Sequence, residues 1–408
     1  MLFFIACLNY ADRTAISSVF PLLRSELNIS DVGLGAIGSF FLWSYAIGSP
    51  FAGWLADRVS RSRMVVYSLS AWSVITIATG LVTDANQLLF TRVLLGLAEC
   101  GYLPAAIALI ADHHSAQTRA TAMGVHLAGL NFGLVAGGAL AGYLGEHYGW
   151  RAGFYLLGGV GLALAAMASY LLTDVSTPEQ RRGADSGGSA LRPVQAVLRI
   201  PTYRVLLAES AIIAIGVWMF FNWLPLYFRE TFNMSLTGAG FSGTFMLQMA
   251  ATIGVLTGGY LSDRIAGKQL HRRMLFQALC YFAAAPFLAA FLGTPAYGWI
   301  SVCIFSFSFL RALGASNENA IVCDLLPPNL RSIAVGLMNT ANCMAGGVGI
   351  FVAGYLKAGV GLAGVFAGIS VIVFTSAVIV TAGYLFFIRN DLAARARSEG
   401  LPVASIAS

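Results

Sequence analysis

The sequence predicts an all-α integral membrane protein whose twelve transmembrane helices form two pseudo-symmetric six-helix bundles. Composition, a series of apolar runs and an internal repeat lead to that fold. Of 408 residues, 58% are hydrophobic and 10% charged, with a mean hydropathy of +0.75; soluble domains run at about 45–50% apolar and about 25% charged. That balance excludes a soluble globular enzyme. Forty-five glycines against 12 prolines suit helices that pack closely through small residues in lipid.

A bilayer is crossed by about 20 apolar residues. Such windows fall at 1–23, 33–56, 64–83, 87–110, 120–144 and 151–173, and again at 204–228, 237–262, 274–293, 297–323, 332–356 and 361–388. Between the two sets, 174–203 contains PEQRRGADSGGSALRP, without an apolar face, and reads as a flexible linker. The expected organisation is an N-terminal bundle over 1–173, a cytoplasmic linker over 174–203, a C-terminal bundle over 204–388 and a cytoplasmic tail over 389–408. With the N-terminus inside, the even-to-odd connections and the tail carry seventeen of the 24 Lys and Arg, against four (Arg24, Arg151, Arg229, Lys357) on the opposite side. The positive-inside rule then places both termini in the cytoplasm, in a multi-pass protein of a bacterial inner membrane. Met1 opens directly on an apolar run, so no secretory signal peptide is expected, and a segment before Met1 stays open. The six cysteines lie in or beside apolar runs, which argues against a disulfide framework. The net charge of +6 is spread without a basic, aromatic-interleaved groove, so nucleic acid is not an expected partner. A monomer in the lipid bilayer acting on a small molecule is expected.

The repeat is visible at an offset of 212. RATAMGVHLAGLNFGLVAGGALAGYL from Arg119 aligns without a gap to RSIAVGLMNTANCMAGGVGIFVAGYL from Arg331, and Asp112 meets Asp324. A second pair, GWLADRVSRSR from Gly53 and GYLSDRIAGKQLHRR from Gly259, ends spans 2 and 8. Duplicated six-helix halves are the architecture of alternating-access transporters, with the substrate site between the halves near mid-membrane. ATP-driven transport would require GxxxxGK[ST], which is absent; at Gly267-Lys268 the first glycine is replaced by Ser262. No cluster of nucleophile, base and orienting group points to an enzyme.

An Asp, Lys or Arg at a helix centre costs roughly 2.5–3.5 kcal/mol on insertion and so implies a cavity, a partner or both. Asp12, Arg13, Arg92, Glu99 and Arg311 stand in that position. Asp12 and Arg13 are adjacent in span 1 and point about 100° apart, so one can line the cavity while the other ties to a second helix. Arg92 and Glu99 are seven residues apart on nearly one face of span 4. Burial favours a neutral acid and a neighbouring Arg favours the carboxylate, so a proton or a substrate that shifts this balance switches the site. Glu99 and Asp12 are therefore read as the proton-carrying pair, and Arg13 or Arg92 as contact for a substrate carboxylate or as counter-charge. The rival reading is a static interhelical ion-pair network. Arg311, the offset-212 counterpart of Glu99, is the candidate anion grip of the second half. Glu318 reads equally as a gate or a structural partner, and Glu209, opening span 7, as interfacial. Tyr45, Asn131, Asn222 and Asn339 are candidate substrate contacts. His126 reads as a hydrogen-bonded buried histidine. His113 and His114 lack further ligands, so neither a metal nor a cofactor is expected, the proton being the coupling ion. Glycines at four-residue spacing on span 5 (Gly129, Gly133, Gly137) and span 8 (Gly254, Gly258) read as helix-contact seams.

These residues resemble the major facilitator superfamily over essentially the whole chain. The G-x-L-x-D-R-x-x-R pattern of Gly53, Leu55, Asp57, Arg58 and Arg61 is similar to that family's cytoplasmic signature, with Ser60 where glycine is usual. The resemblance implies a gate in which the acidic residue sits against a helix N-terminus of the opposite half, a contact that gains about 0.3–2 kcal/mol. It assigns that gate to Asp57, Arg58 and Arg61, to Asp263 and Arg264 in the second copy, and to Arg119 and Arg331. FFLWSYAIGSPFAGWLADR, RVLLGLAECGYLPA and GWRAGFYLLGGVGL resemble the proton-coupled organic-anion symporters, in which an Asp-Arg pair on span 1 and a Glu on span 4 handle protons and substrate; Asp12, Arg13 and Glu99 match. LNYADR, NISDVGLGAI and LIADHHSAQTRATAM are similar to the spinster branch, associated with lysophospholipid and sphingolipid-type amphipaths. The expected function is proton-coupled symport of a sugar acid or other carboxylate. A spinster-like transporter is the alternative, ahead of a drug-type exporter, a uniporter or a non-transporting receptor.

Overall fold

The computed structural model describes residues 1–56, 59–115, 118–174, 191–267, 269–293 and 296–398. Among them the regular elements are helices: α1 Leu2–Ser18, α2 Phe20–Leu27, α3 Asp31–Ala56, α4 Arg61–Leu81, α5 Ala85–Glu99, α6 Tyr102–His113, α7 Arg119–Tyr148 and α8 Trp150–Leu171. There follow α9 Leu191–Leu198, α10 Pro201–Phe232, α11 Leu236–Ala266, α12 Arg272–Ala289, α13 Tyr297–Ala315, α14 Glu318–Leu325, α15 Pro328–Phe386 and α16 Ile388–Ser398. Ten described segments are long and apolar enough to cross a membrane. One of them, Leu330–Phe386, is two helices meeting at Gly361, whose φ of +67° only glycine adopts freely. Counting that pair separately, and α1 with α2 as one crossing, is consistent with twelve.

Three predicted spans are broken, each with a local cause. Pro21 has no N–H to give the carbonyl of Ser17, and α1 ends at Ser18. Pro104 does the same to Cys100, so the fourth span divides into α5 and α6 directly after Glu99. Between α13 and α14 the Asn317 amide donates to the carbonyls of Gly314 (2.9 Å) and Leu313 (3.4 Å), competing with the helix ladder.

The chain divides by contacts into two units. The first comprises Met1–Gly187, Phe221–Phe245 and Gly347–Ala358, and the second the remainder. This division cuts across the expected boundary at 174–203, because parts of α10, α11 and α15 pack on N-terminal helices. A Cβ on Gly142 would lie 2.4 Å from the Leu236 carbonyl oxygen, and one on Gly240 2.3 Å from that of Gly138. Trp223 Nε1 donates to Ile350 O at 3.1 Å and Ser39 Oγ to Gly347 O at 2.7 Å. Arg24 pairs with Asp31 and Glu230, and Lys357 joins both acids at 3.2 and 2.7 Å. Within the same unit α7 crosses α1 along its glycine seam, where a Cβ on Gly133 would sit 2.0 Å from Cys7 O and one on Gly137 2.3 Å from Ala11 Cα. In the second unit Gly254 and Gly258 bring α11 equally close to Phe309 and Leu313 of α13.

Two stretches read as polar connections are structured. Residues 191–198 of the expected linker form α9, and 389–398 of the expected tail belong to α16. Val197, Tyr203, Ile388 and Leu392 are buried in one apolar cluster with Leu206, Met274 and Ile321. Asp391 Oδ2 accepts from Thr202 N at 2.8 Å, and Arg395 donates to the carbonyls of Cys323 and Asp324, capping α14. His271, at the start of α12, is held below its ordinary pKa by burial and by the charges of Arg389 and Arg272. The neutral ring accepts from Arg389 Nη2 at 3.4 Å.

Candidate functional site

Asp12 and Arg13 leave α1 in different directions, as adjacent helical residues must. Arg13 Nε donates to Glu99 Oε2 at 2.9 Å, linking α1 to the end of α5. Its guanidinium also lies 4.6, 4.7 and 5.1 Å from the ring centres of Tyr10, Tyr45 and Phe41, a cage that favours a cation. Asp12 turns to α4, where Thr76 Oγ1 donates to it weakly at 3.4 Å. Arg92 is 1% exposed; its Nη2 donates to Thr79 Oγ1 at 3.2 Å, its guanidinium lies 5.7 Å from the Phe154 ring, and it interacts electrostatically with Asp12 and Glu99. The first unit thus holds two acids and two guanidinium groups together, Asp12 and Glu99 each at most 2% exposed.

The cluster is balanced in charge and incomplete in hydrogen bonding. Asp12 Oδ1, Glu99 Oε1 and Arg92 Nε are buried without a hydrogen-bond partner among the described residues. Such atoms are costly to leave unmet and mark places where a proton, water or ligand group is accommodated. Asn9 and Thr76 were not among the candidates read from the sequence. Buried Asn9 lies beside Glu99, and the signal was there: position 9 precedes Arg13 by one helical turn and shares its face.

The other candidates are placed as follows. Tyr45 is buried against Arg13. Asn222 is buried beside Gly38, where a Cβ would stand 3.1 Å from its Oδ1. Asn131 is half-buried on α7. Arg311, half-buried on α13, and Asn339, exposed on α15, belong to the second unit. His126 is buried with its ring 5.9 Å from that of Tyr102. Glu209 departs from its interfacial reading. It is fully buried, eight residues into α10, and accepts from Gln277 Nε2 of α12 at 3.3 Å.

Among the gate candidates, Asp57 and Arg58 lie outside the described residues. Arg61 Nη1 meets Asp112 at 2.6 Å, and at the same offset of 212 Arg273 meets Asp324 at 3.3 Å. Arg273 also holds Asp263 at 2.8 Å. Arg331 donates to the carbonyls of Cys323 and Leu326, at the end of α14. Arg119 is exposed and reaches His114 O at 3.5 Å, and Arg264 lies 5.9 Å from the Tyr260 ring centre. Ser60, in the usual glycine position, is the N-cap of α4 and accepts from Arg63 N.

Comparison with known proteins agrees with this architecture. The chain is 25% identical to the "Probable galactarate/D-glucarate transporter" of Escherichia coli (strain K12), over 95% of this chain and 92% of that protein. It is 27% identical to the "Probable sulfoacetate transporter" of Cupriavidus necator, over 87% and 85%. In fold it matches the crystal structure of a bacterial homologue of the human lysosomal transporter Spinster, inward-facing and occupied, with a TM-score of 0.77 at 22% identity and 96% of each chain covered. The family model of the Major Facilitator Superfamily matches residues 2–350. The chain belongs to the Major Facilitator Superfamily of membrane transporters.

Proposed function

We propose that the protein carries a small organic anion, a sugar acid or related carboxylate, together with a proton by alternating access. The observation that supports this reading is the Arg13–Glu99 pair at 2.9 Å within a cluster of two acids and two guanidinium groups. An anion entering that balanced cluster alone would leave a buried net charge of −1, which a low-dielectric site opposes strongly. A proton arriving with it restores neutrality. Glu99 is the acceptor that makes the coupling direct, because a substrate carboxylate and Glu99 compete for the same Arg13 fork. Protonating Glu99 releases Arg13 to the substrate, and losing the substrate returns Arg13 to the carboxylate. Asp12 and Arg92 form the second acid–base couple, facing Thr76 and Thr79.

The gate reading extends the family signature to Asp57 and Asp263, with Arg61–Asp112 and Arg273–Asp324 fixing the helix ends beside them. In the same reading both termini are cytoplasmic, in a monomer in a bacterial inner membrane, supported by the asymmetric distribution of Lys and Arg. Ready labelling of a cysteine at position 187 from outside intact cells by an impermeant reagent would reverse that orientation.

The test of coupling is Glu99→Gln in proteoliposomes with D-glucarate as probe and an imposed pH gradient. Gln mimics the protonated acid, so gradient-driven accumulation is lost while counterflow exchange is retained. Accumulation that follows the pH gradient as in wild type removes Glu99 from the coupling role. A lysophospholipid in the second arm addresses the amphipath reading, which the LNYADR and NISDVGLGAI runs support; its transport in place of D-glucarate would select that reading.

A further inference from the structure

The second unit contains a buried acidic site built from none of the Asp12–Glu99 residues. Glu209 of α10 is fully buried, and so are Gln277 and Tyr281 of α12. Gln277 Nε2 donates to Glu209 Oε2 at 3.3 Å and to the Tyr281 hydroxyl oxygen at 3.4 Å. Tyr281 in turn donates its hydroxyl to Glu318 Oε1 at 3.2 Å. One amide and one phenol therefore bridge two carboxylates from α10 and α14. Arg311 of α13 is within electrostatic reach of Glu209, Glu318 and Tyr281.

Two features point to what this site holds. With both acids ionised it has two negative groups and one guanidinium, hence a net charge of −1, with Glu209 fully buried and Glu318 and Arg311 half-buried. Its unmet atoms include the acceptors Glu209 Oε1 and Gln277 Oε1 and the donor Arg311 Nε, all buried and without a partner among the described residues. Acceptors outnumber the donor, and Gln277 has its amide N–H groups committed to the other oxygen of Glu209 and to Tyr281. Another anion would meet Arg311 Nε only by deepening the charge imbalance and adding acceptors. One hydrogen on a carboxylate corrects the charge and supplies a donor where acceptors stand unmet.

We propose that Glu209 and Glu318 share one proton, forming a proton-binding site of the C-terminal half. Carboxylates linked this closely titrate as a pair, so the proton belongs to the site and not to either residue. Loss of the proton leaves two carboxylates drawing on Arg311, and its return leaves one. Tyr281 and Gln277 hold the two acids in register and are positioning residues.

The experiment is an infrared titration of the purified full-length protein in an Asp12→Asn, Glu99→Gln background, which removes the acids of the first cluster. A protonated-carboxyl carbonyl band is expected at neutral pH, shifted by deuterium exchange and lost on raising the pH. Its loss or shift in Glu209→Gln, and independently in Glu318→Gln, assigns it to the pair, so failure of one variant to fold leaves the other as the test. Absence of the band at neutral pH, or a band unchanged by either substitution, overturns the assignment. So does its removal by sodium at fixed pH, which would make the site one for a metal cation. The readout is independent of transport, so it stands or falls separately from the role given to Glu99.

Discussion

The two halves treat the same problem, charge inside a membrane bundle, in different ways. Each places an acid at the break of its fourth helix: Glu99, buried, is the last residue of α5, and Glu318, half-buried, the first of α14. In the first half two guanidinium groups answer two carboxylates, and Arg13 contacts Glu99 directly. In the second half two carboxylates have one guanidinium and are joined by neutral bridges, Gln277 and Tyr281. The repeat does not preserve the chemistry: at the offset of 212 Arg311 stands at the position of Glu99, so equivalent places in the two halves carry opposite charges. On the reading proposed above, the balanced cluster accepts an anion only with a proton, and the unbalanced one holds a proton when empty.

The largest effect expected from that difference is at Arg13. Arg13→Ala leaves Glu99, 1% exposed, without its hydrogen-bonded counter-charge, and breaking a buried pair from one side costs about 3–5 kcal/mol. Adding Glu99→Gln to Arg13→Ala should return most of that loss, because the uncompensated charge is gone. Thermal unfolding in detergent at neutral pH measures both. Arg311→Ala should cost less, about 1–3 kcal/mol, since the side chain is only half-buried and its acids carry a proton. Equal losses at the two positions, or no recovery in the Arg13→Ala, Glu99→Gln double variant, would dissolve the distinction between the clusters.

Much of the first cluster was legible because charge inside an apolar run is conspicuous. Asp12, Arg13, Arg92 and Glu99 stand out against their spans, and the turn angle at Asp12–Arg13 already required two different partners. Glu209 was not legible for the converse reason. It lies near the start of a run, where hydropathy expects water, and hydropathy registers depth but not lateral cover. Its partner Gln277 lies on α12, distant in sequence; α9 and α16 were missed for a related reason, since their apolar positions, Val197 in one and Ile388, Leu392 and Ala396 in the other, are diluted by charged neighbours in any wide window. The breaks were half-legible: Pro21 and Pro104 announce two of them, whereas the third depends on Asn317 turning its amide onto its own helix. The offset of 212 matched Asp112 with Asp324, but their partners Arg61 and Arg273 emerged as an equivalent pair only in the structure, because the loop from Asp263 to Arg273 is longer than that from Asp57 to Arg61 and hides the match.

The smallest effect belongs to an ion pair that water reaches, and it fixes the lower end of the comparison. Glu26, at the end of α2, pairs with Arg151 and accepts from Trp150 Nε1 at 2.7 Å. Arg151, and then Trp150, hold its carboxyl below the ordinary glutamate value against a modest opposing effect of burial. A carboxyl whose folded-state pKa is depressed contributes stability above its unfolded pKa and loses it as pH falls through the folded one. Because both side chains are substantially exposed, at 48% and 30%, screening limits the contribution to below about 1 kcal/mol. Glu26→Gln should therefore lower the melting temperature slightly at neutral pH and low salt. The difference from wild type should shrink on acidification and again at high salt, whereas the Arg13→Ala deficit, set in a dry interior, persists in salt. A Glu26→Gln deficit that survives both treatments would mean that Glu26 acts through its contact with Trp150, and that burial alone does not separate strong pairs from weak ones in this protein.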